Sequence, residues 1–124
     1  MGPYLLIAIG AVLGANARYL VSTWAADRFG VGFPYGTFII NASGSFAIGL
    51  FLEVNIGRLG TTSNTSLFVV TGILGAYTTF STFGYETAVL MRQGSLRPAL
   101  FNALGSVTVG VAAAGLGIFL GAQF

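Results

Sequence analysis

The sequence predicts an all-α integral membrane protein of four transmembrane helices, with the third helix broken at its centre. Three observations carry that reading. Hydrophobic residues fill 55% of the 124 positions and charged residues only 6%, where a soluble domain carries about a quarter charged residues. A span needs about 20 apolar residues, so the length accommodates four spans and leaves no room for a separate soluble domain. Finally, the stretch from Gly72 to Glu86 begins apolar and then, after Gly75, interleaves Thr78, Thr79, Ser81 and Thr82 with two phenylalanines. Two β-branched threonines just after a glycine are poor helix material. A break at membrane depth is tolerated only where it is buried in protein or lines a wet cavity, which makes it the first place to look for function. Residues 1–124 therefore read as one four-helix domain, with spans at about 4–22, 36–57, 67–91 and 98–121.

The first span contains Gly10 and Gly14, a Gly-x-x-x-Gly pair that admits a close neighbouring helix. Asn16 and Arg18 interrupt its far end. Arg18 reads either as an interfacial anchor that snorkels to water or as an arginine facing a water-filled vestibule. Ala15-Asn16-Ala17 looks like a signal-peptide cleavage site, but no positively charged segment precedes it, so the helix is read as retained. Trp24, Asp27, Arg28, Gly30, Gly32 and Pro34 read as a connection.

In the second span Thr37, Asn41 and Ser45 recur every four residues and so share one helix face. Hydrogen bonding between helices accounts for Ser45. Asn41 asks for more, since an unpaired amide inside a membrane is costly. Arg58 to Ser66 reads as the next connection. In the third span Phe80 and Phe83 share a face if the second half is helical. Pro98 suits the first turn of the fourth span, in which Asn102, Ser106 and Gly110 repeat every four residues.

Several function classes lose their parts. The chain has no histidine and no cysteine, which removes the commonest base, the commonest metal ligand and thiolate sites. An enzyme is not expected, and neither is nucleic-acid binding. Glu53 and Glu86 lie toward the ends of their spans and read as solvated or arginine-paired acids, with Glu86 a minor site candidate. The combination left over is hydroxyls, one amide and phenyl edges, without a buried lysine or histidine. Such a lining handles an anion without gripping it, because a full positive charge in the same place would hold the ion too tightly for it to leave. A broken helix adds carbonyl ends suited to a cation and amide ends suited to an anion.

The segments Gly10-x-x-x-Gly14-Ala15-x-x-Arg18-Tyr19, Gly36-Thr37-x-x-x-Asn41-x-x-Gly44-x-Phe46-x-x-Gly49 and Gly75-x-x-Thr78-Thr79-Phe80-Ser81-Thr82-Phe83 resemble, in order, the small bacterial fluoride channels of the Fluc/CrcB family. Ala11 and Ala76 depart from the family's paired glycines. The resemblance implies a fluoride-selective channel in the bacterial cytoplasmic (inner) membrane, assembled as an antiparallel, dual-topology dimer with a structural sodium ion at its centre. Carried onto this chain, it implies sodium on the backbone carbonyls of Gly75 and Thr78. It also implies a pore lined by Asn41, Phe80, Phe83 and Ser106 with the hydroxyls of Thr79, Ser81 and Thr82, and Arg18 at the aqueous vestibule.

The arginines of the connections fall as Arg28, Arg92 and Arg97 on one side against Arg58 on the other. This bias leans toward both termini outside, permits dual insertion, and leaves homodimer and two-gene heterodimer open. A small multidrug-type transporter with four short helices is the alternative. Its mechanism needs an acid in the first helix, where this chain has Arg18 and none.

Overall fold

Pro3 opens the first helix, α1 (Pro3–Phe29), where its missing amide N–H is one that a first-turn residue leaves unpaired anyway. The computed structural model describes residues 1–56 and 62–124. α1 runs well past the expected end near Ser22, so Trp24, Asp27 and Arg28 lie on the helix and not in a connection. Polarity marks where an apolar span ends, but it does not unwind a helix. The chain turns only at Gly30, whose φ of 81° lies in the left-handed region that glycine enters without a steric cost. Asn16 does not interrupt the helix either, because its Nδ2 donates to the Val12 carbonyl one turn back at 2.7 Å.

The second helix, α2, is Tyr35–Val54. The expected end at Gly57 and the connection at Arg58 lie outside the described residues. The third helix starts earlier than expected, since Asn64–Ser66, read as connection, form its first turn under a cap in which Ser63 Oγ accepts the Ser66 N–H at 3.2 Å. Residues 64–77 make up α3, wound as a π-helix over Leu67–Leu74 and returning to α geometry over Gly75–Tyr77. The break falls at Thr78 and Thr79, both extended, with φ, ψ of −78°, 157° and −152°, 119°. Gly75, just before the paired threonines, keeps helical angles of −62° and −38°. A lone glycine lowers helix propensity by about 1 kcal/mol and no more. Thr78 still donates its N–H to the Leu74 carbonyl, and the chain leaves the helix at Thr79, whose N–H and C=O both pair with Asn41, as described below.

Phe80–Arg92 then form α4, and Leu96–Gly121 form α5. Pro98 sits in the first turn of α5, two residues inside the helix start. Counting α3 and α4 as one interrupted span, four helices among the described residues are long and apolar enough to cross a membrane: Pro3–Phe29, Tyr35–Val54, Asn64–Arg92 and Leu96–Gly121. Among the described residues there is no strand.

Small residues set the packing. α1 lies against α3 so closely that a Cβ on Gly14 would run into the Ile73 carbonyl, and one on Gly10 would stand 2.9 Å from Gly72 Cα. α2 lies along α5 in the same way, with Gly49 on the Ala114 carbonyl and Gly117 on the Phe46 carbonyl. Lipid offers no hydrophobic gain for helix association, so backbone-to-backbone contact of this kind supplies the dispersion attraction that does. The break meets α2 at Asn41, and α4 beyond it packs mainly against α5.

Candidate functional site

Asn41 organises the break. Its Nδ2 donates to the Thr79 carbonyl at 2.8 Å, and its Oδ1 accepts the Thr79 N–H at 2.8 Å. A side-chain amide pairs here with a backbone amide as one strand would with another, which satisfies the extended Thr79 at both of its polar groups. In an unbroken helix the Thr79 N–H would go to the Gly75 carbonyl. The next turn is diverted too. Thr79 Oγ1 caps α4 by accepting the Thr82 N–H at 3.3 Å, a group that an unbroken helix would return to the Thr78 carbonyl. The carbonyls of Gly75, Ala76, Tyr77 and Thr78 all lose their helical donors at the break, those of Gly75 and Thr78 because Asn41 and the Thr79 hydroxyl take the amides that would reach them.

A cavity of about 360 Å³ lies against the break. It is lined by Asn41 and Ser45 of α2, by Gly75, Thr78 and Thr79 at the break, by Phe80 and Phe83 of α4, and by Ser106 of α5. The Phe80 and Phe83 rings are 5.8 Å apart between centroids and inclined at 51°. Among the described residues, none in the lining is ionisable. Of the residues expected in a pore, Asn41, Phe80, Phe83, Ser106 and Thr79 come together here, and Thr82 and Ser81 do not. Thr82 lines a second cavity of about 350 Å³ with Arg18, Ser22, Thr37 and Thr79. Ser81 is exposed and borders none of these cavities. Thr79 is the wall between the two, lining both.

Residues 5–118 match the sequence model of the family described as CrcB-like protein, camphor resistance (CrcB). The chain belongs to the CrcB family. It is 48% identical over 124 residues to a protein of Chloroflexus aurantiacus named fluoride-specific ion channel FluC, covering 100% of this chain and 98% of the relative. The protein of that name from a Roseiflexus species is 48% identical over 118 residues, 95% of this chain and 92% of its own. That of Acidobacterium capsulatum is 44% identical over 118 residues, 95% and 94%. With four apolar spans and this kinship, the CrcB chain is a multi-pass bacterial membrane protein.

Three polar features of this CrcB chain were not legible as partners in the sequence. Glu86, read as solvated or paired with an arginine, instead accepts a hydrogen bond from Thr37 Oγ1, so a hydroxyl on α2 holds the acid on α4. Glu86 and Thr37 border a third cavity of about 270 Å³ beneath the connection at residues 30–34, together with Thr82. Ser45, assigned to helix contacts, lines the cavity at the break. Asn102 is 1% exposed and joins Thr87 to Ser106 by hydrogen bonds of 2.9 and 3.2 Å. The four-residue periodicity of α2 was the available signal. It places Thr37, Asn41 and Ser45 on the face that meets α4 and the break, each with a different task.

Proposed function

We propose that this protein is a fluoride-selective channel, a passive route by which fluoride leaves the cell. The observation that carries the reading is the cavity at the helix break, where hydroxyls, one amide and two phenyl rings converge without an ionisable side chain. The names borne by close relatives along their whole length point the same way. Fluoride is small and strongly hydrated, so its path must replace water with donors. The hydroxyl of Ser45, the second Nδ2 proton of Asn41 and the N-terminal amides of α4 are of that kind. The positive rims of Phe80 and Phe83 offer a surface that attracts an anion without binding it as an arginine would. Arg18 stands in the neighbouring cavity, where it raises the local anion concentration without sitting in the narrow path. The inside-negative membrane potential drives the ion out at about 2.3 kcal/mol per charge per 100 mV.

The functional unit in this reading is an antiparallel dimer. Phe80 is 81% exposed on the single subunit, although it borders the cavity. A hydroxyl pair beside the break, Ser43 with Tyr77 at 2.9 Å, lies on an exposed part of the subunit surface as well. A polar, half-open cavity at membrane depth calls for protein cover, not lipid. A second copy related by a two-fold axis supplies it.

The Gly75 and Thr78 carbonyls, deprived of their helical donors by Asn41 and by the α4 cap, are hard oxygen ligands that suit a sodium ion. Two from each subunit make a set of four across the axis. When bound, the ion supplies positive charge that offsets the carbonyl dipoles at the break and ties the two subunits together. The residues of the chain do the rest: Asn41 holds Thr79 extended, and Thr79 caps α4 so that Phe80 and Phe83 face the cavity.

The test is fluoride efflux from proteoliposomes of the purified protein, with chloride as the control. Rapid fluoride release with chloride retained is the expected result. Equal release of both ions, or of neither, would refute the reading.

A further inference from the structure

We propose that Asn102, which borders none of the three cavities described above, is a positioning residue that fixes the hydroxyl proton of Ser106 and thereby sets how tightly the cavity at the break holds its anion. The inference rests on the channel reading above and adds a residue to it. A chain of hydrogen bonds runs behind the cavity from Phe83 on α4 to Ser106 on α5. Thr87 Oγ1 lies 2.8 Å from the Phe83 carbonyl, Asn102 Nδ2 lies 2.9 Å from Thr87 Oγ1, and Ser106 Oγ lies 3.2 Å from Asn102 Oδ1.

The direction of this chain follows from its first member. A carbonyl only accepts, so the one proton of the Thr87 hydroxyl goes to Phe83. Thr87 must then accept from Asn102, and this fixes which end of the amide faces it. The amide oxygen is left facing Ser106, and Ser106 must donate to it. A serine hydroxyl has one proton. With that proton held by Asn102, Ser106 shows lone pairs to the cavity that it lines.

An anion at Ser106 therefore gains a donor only when the hydroxyl turns away from Asn102. The turn leaves the Asn102 oxygen, 99% buried by its residue, without a partner. The exchange weakens the site by the strength of one neutral hydrogen bond, about fivefold in affinity. Weak holding is what a conducting site requires, since an ion that binds too well does not leave. Burial keeps water from substituting for Ser106, so the restraint persists as the cavity fills and empties.

Two substitutions release the proton by different routes. Asn102→Leu removes the acceptor at similar volume. Thr87→Val keeps the β-branched shape but removes the group that orients the amide, so that Asn102 can turn its Nδ2 toward Ser106, which then accepts and has its own proton free for the cavity. Fluoride flux into proteoliposomes, measured against fluoride concentration, separates affinity from maximal rate. Both variants are expected to reach half-maximal flux at a fluoride concentration about fivefold lower than the parent, with a reduced maximal rate. In a Ser106→Ala background neither substitution should shift the half-maximal concentration further. Unchanged half-maximal concentrations, or equal shifts with and without Ser106, would overturn the assignment and leave Asn102 a packing group. Should Asn102→Leu fail to fold, Thr87→Val alone decides. A parent protein that carries no fluoride refutes the channel reading itself, a result distinct from a conducting parent whose variants behave normally.

Discussion

Asn41 illustrates how far one residue type and its spacing can be read. Its place on a polar face was visible, and so was the cost of leaving its amide unpaired. Its partner was not, because Thr79 lies 38 positions away and is met through its backbone, which carries no sequence signature. Asn41→Leu removes both bonds and leaves the half-buried N–H and C=O of Thr79 without their partner, at about 1 kcal/mol for each group. A lowered midpoint of thermal unfolding in detergent, together with lost flux, is expected. Asn41→Asp keeps the acceptor for the Thr79 N–H but adds a negative charge to an anion path. It should lower fluoride flux far more than it lowers the midpoint, and an aspartate variant that conducts normally would remove Asn41 from the path. Phe80 and Phe83 allow the converse test. Isoleucine keeps most of the volume but has no polar rim, so Phe80→Ile or Phe83→Ile should cut flux about fivefold or more with little change in unfolding midpoint. Normal flux in both would reduce the phenyls to packing.

At the scale of helices, glycine content foretold close packing without saying which helices pair. The structure joins α1 to α3 through Gly10 and Gly14, and α2 to α5 through Gly49 and Gly117. Gly14→Val places a branched side chain onto the Ile73 carbonyl, and a loss of stability of about 1–3 kcal/mol is expected from the forced separation of the helices. Unfolding in detergent measures it, and the same substitution at Gly115, whose Cβ position is open, should cost little by comparison. The interrupted third span was legible because paired threonines in an apolar run are conspicuous. The break falls on those threonines, but what holds them extended, the hydrogen bonds from Asn41 and the Thr79 cap of α4, joins groups that no local pattern connects. The end of α1 was misread for a related reason: hydropathy finds where lipid ends, whereas a helix ends where the backbone changes, at Gly30.

The whole molecule is the scale at which the sequence says least, since a partner leaves only indirect marks on a chain. The exposed Phe80, the half-open cavity and the outward hydroxyl pair of Ser43 and Tyr77 all lie about the break, and a second, inverted copy would cover them together. With no cysteine in the chain, a single cysteine placed in the connection at residues 30–34 can be labelled from either side of the cell membrane. Labelling from both sides in active cells is expected of a homodimer of dual topology. Labelling from one side only, with activity retained, would require an oppositely oriented partner from another chain. Selectivity, however, is the property on which the account stands. The most direct measurement is the reversal potential of purified protein in a planar bilayer, with fluoride on one side and chloride on the other. A channel whose path is built from donors and phenyl edges should reverse far toward the fluoride equilibrium potential, whereas a reversal near zero under equal concentrations would mean that chloride passes as well, contradicting the assignment of the cavity at the break.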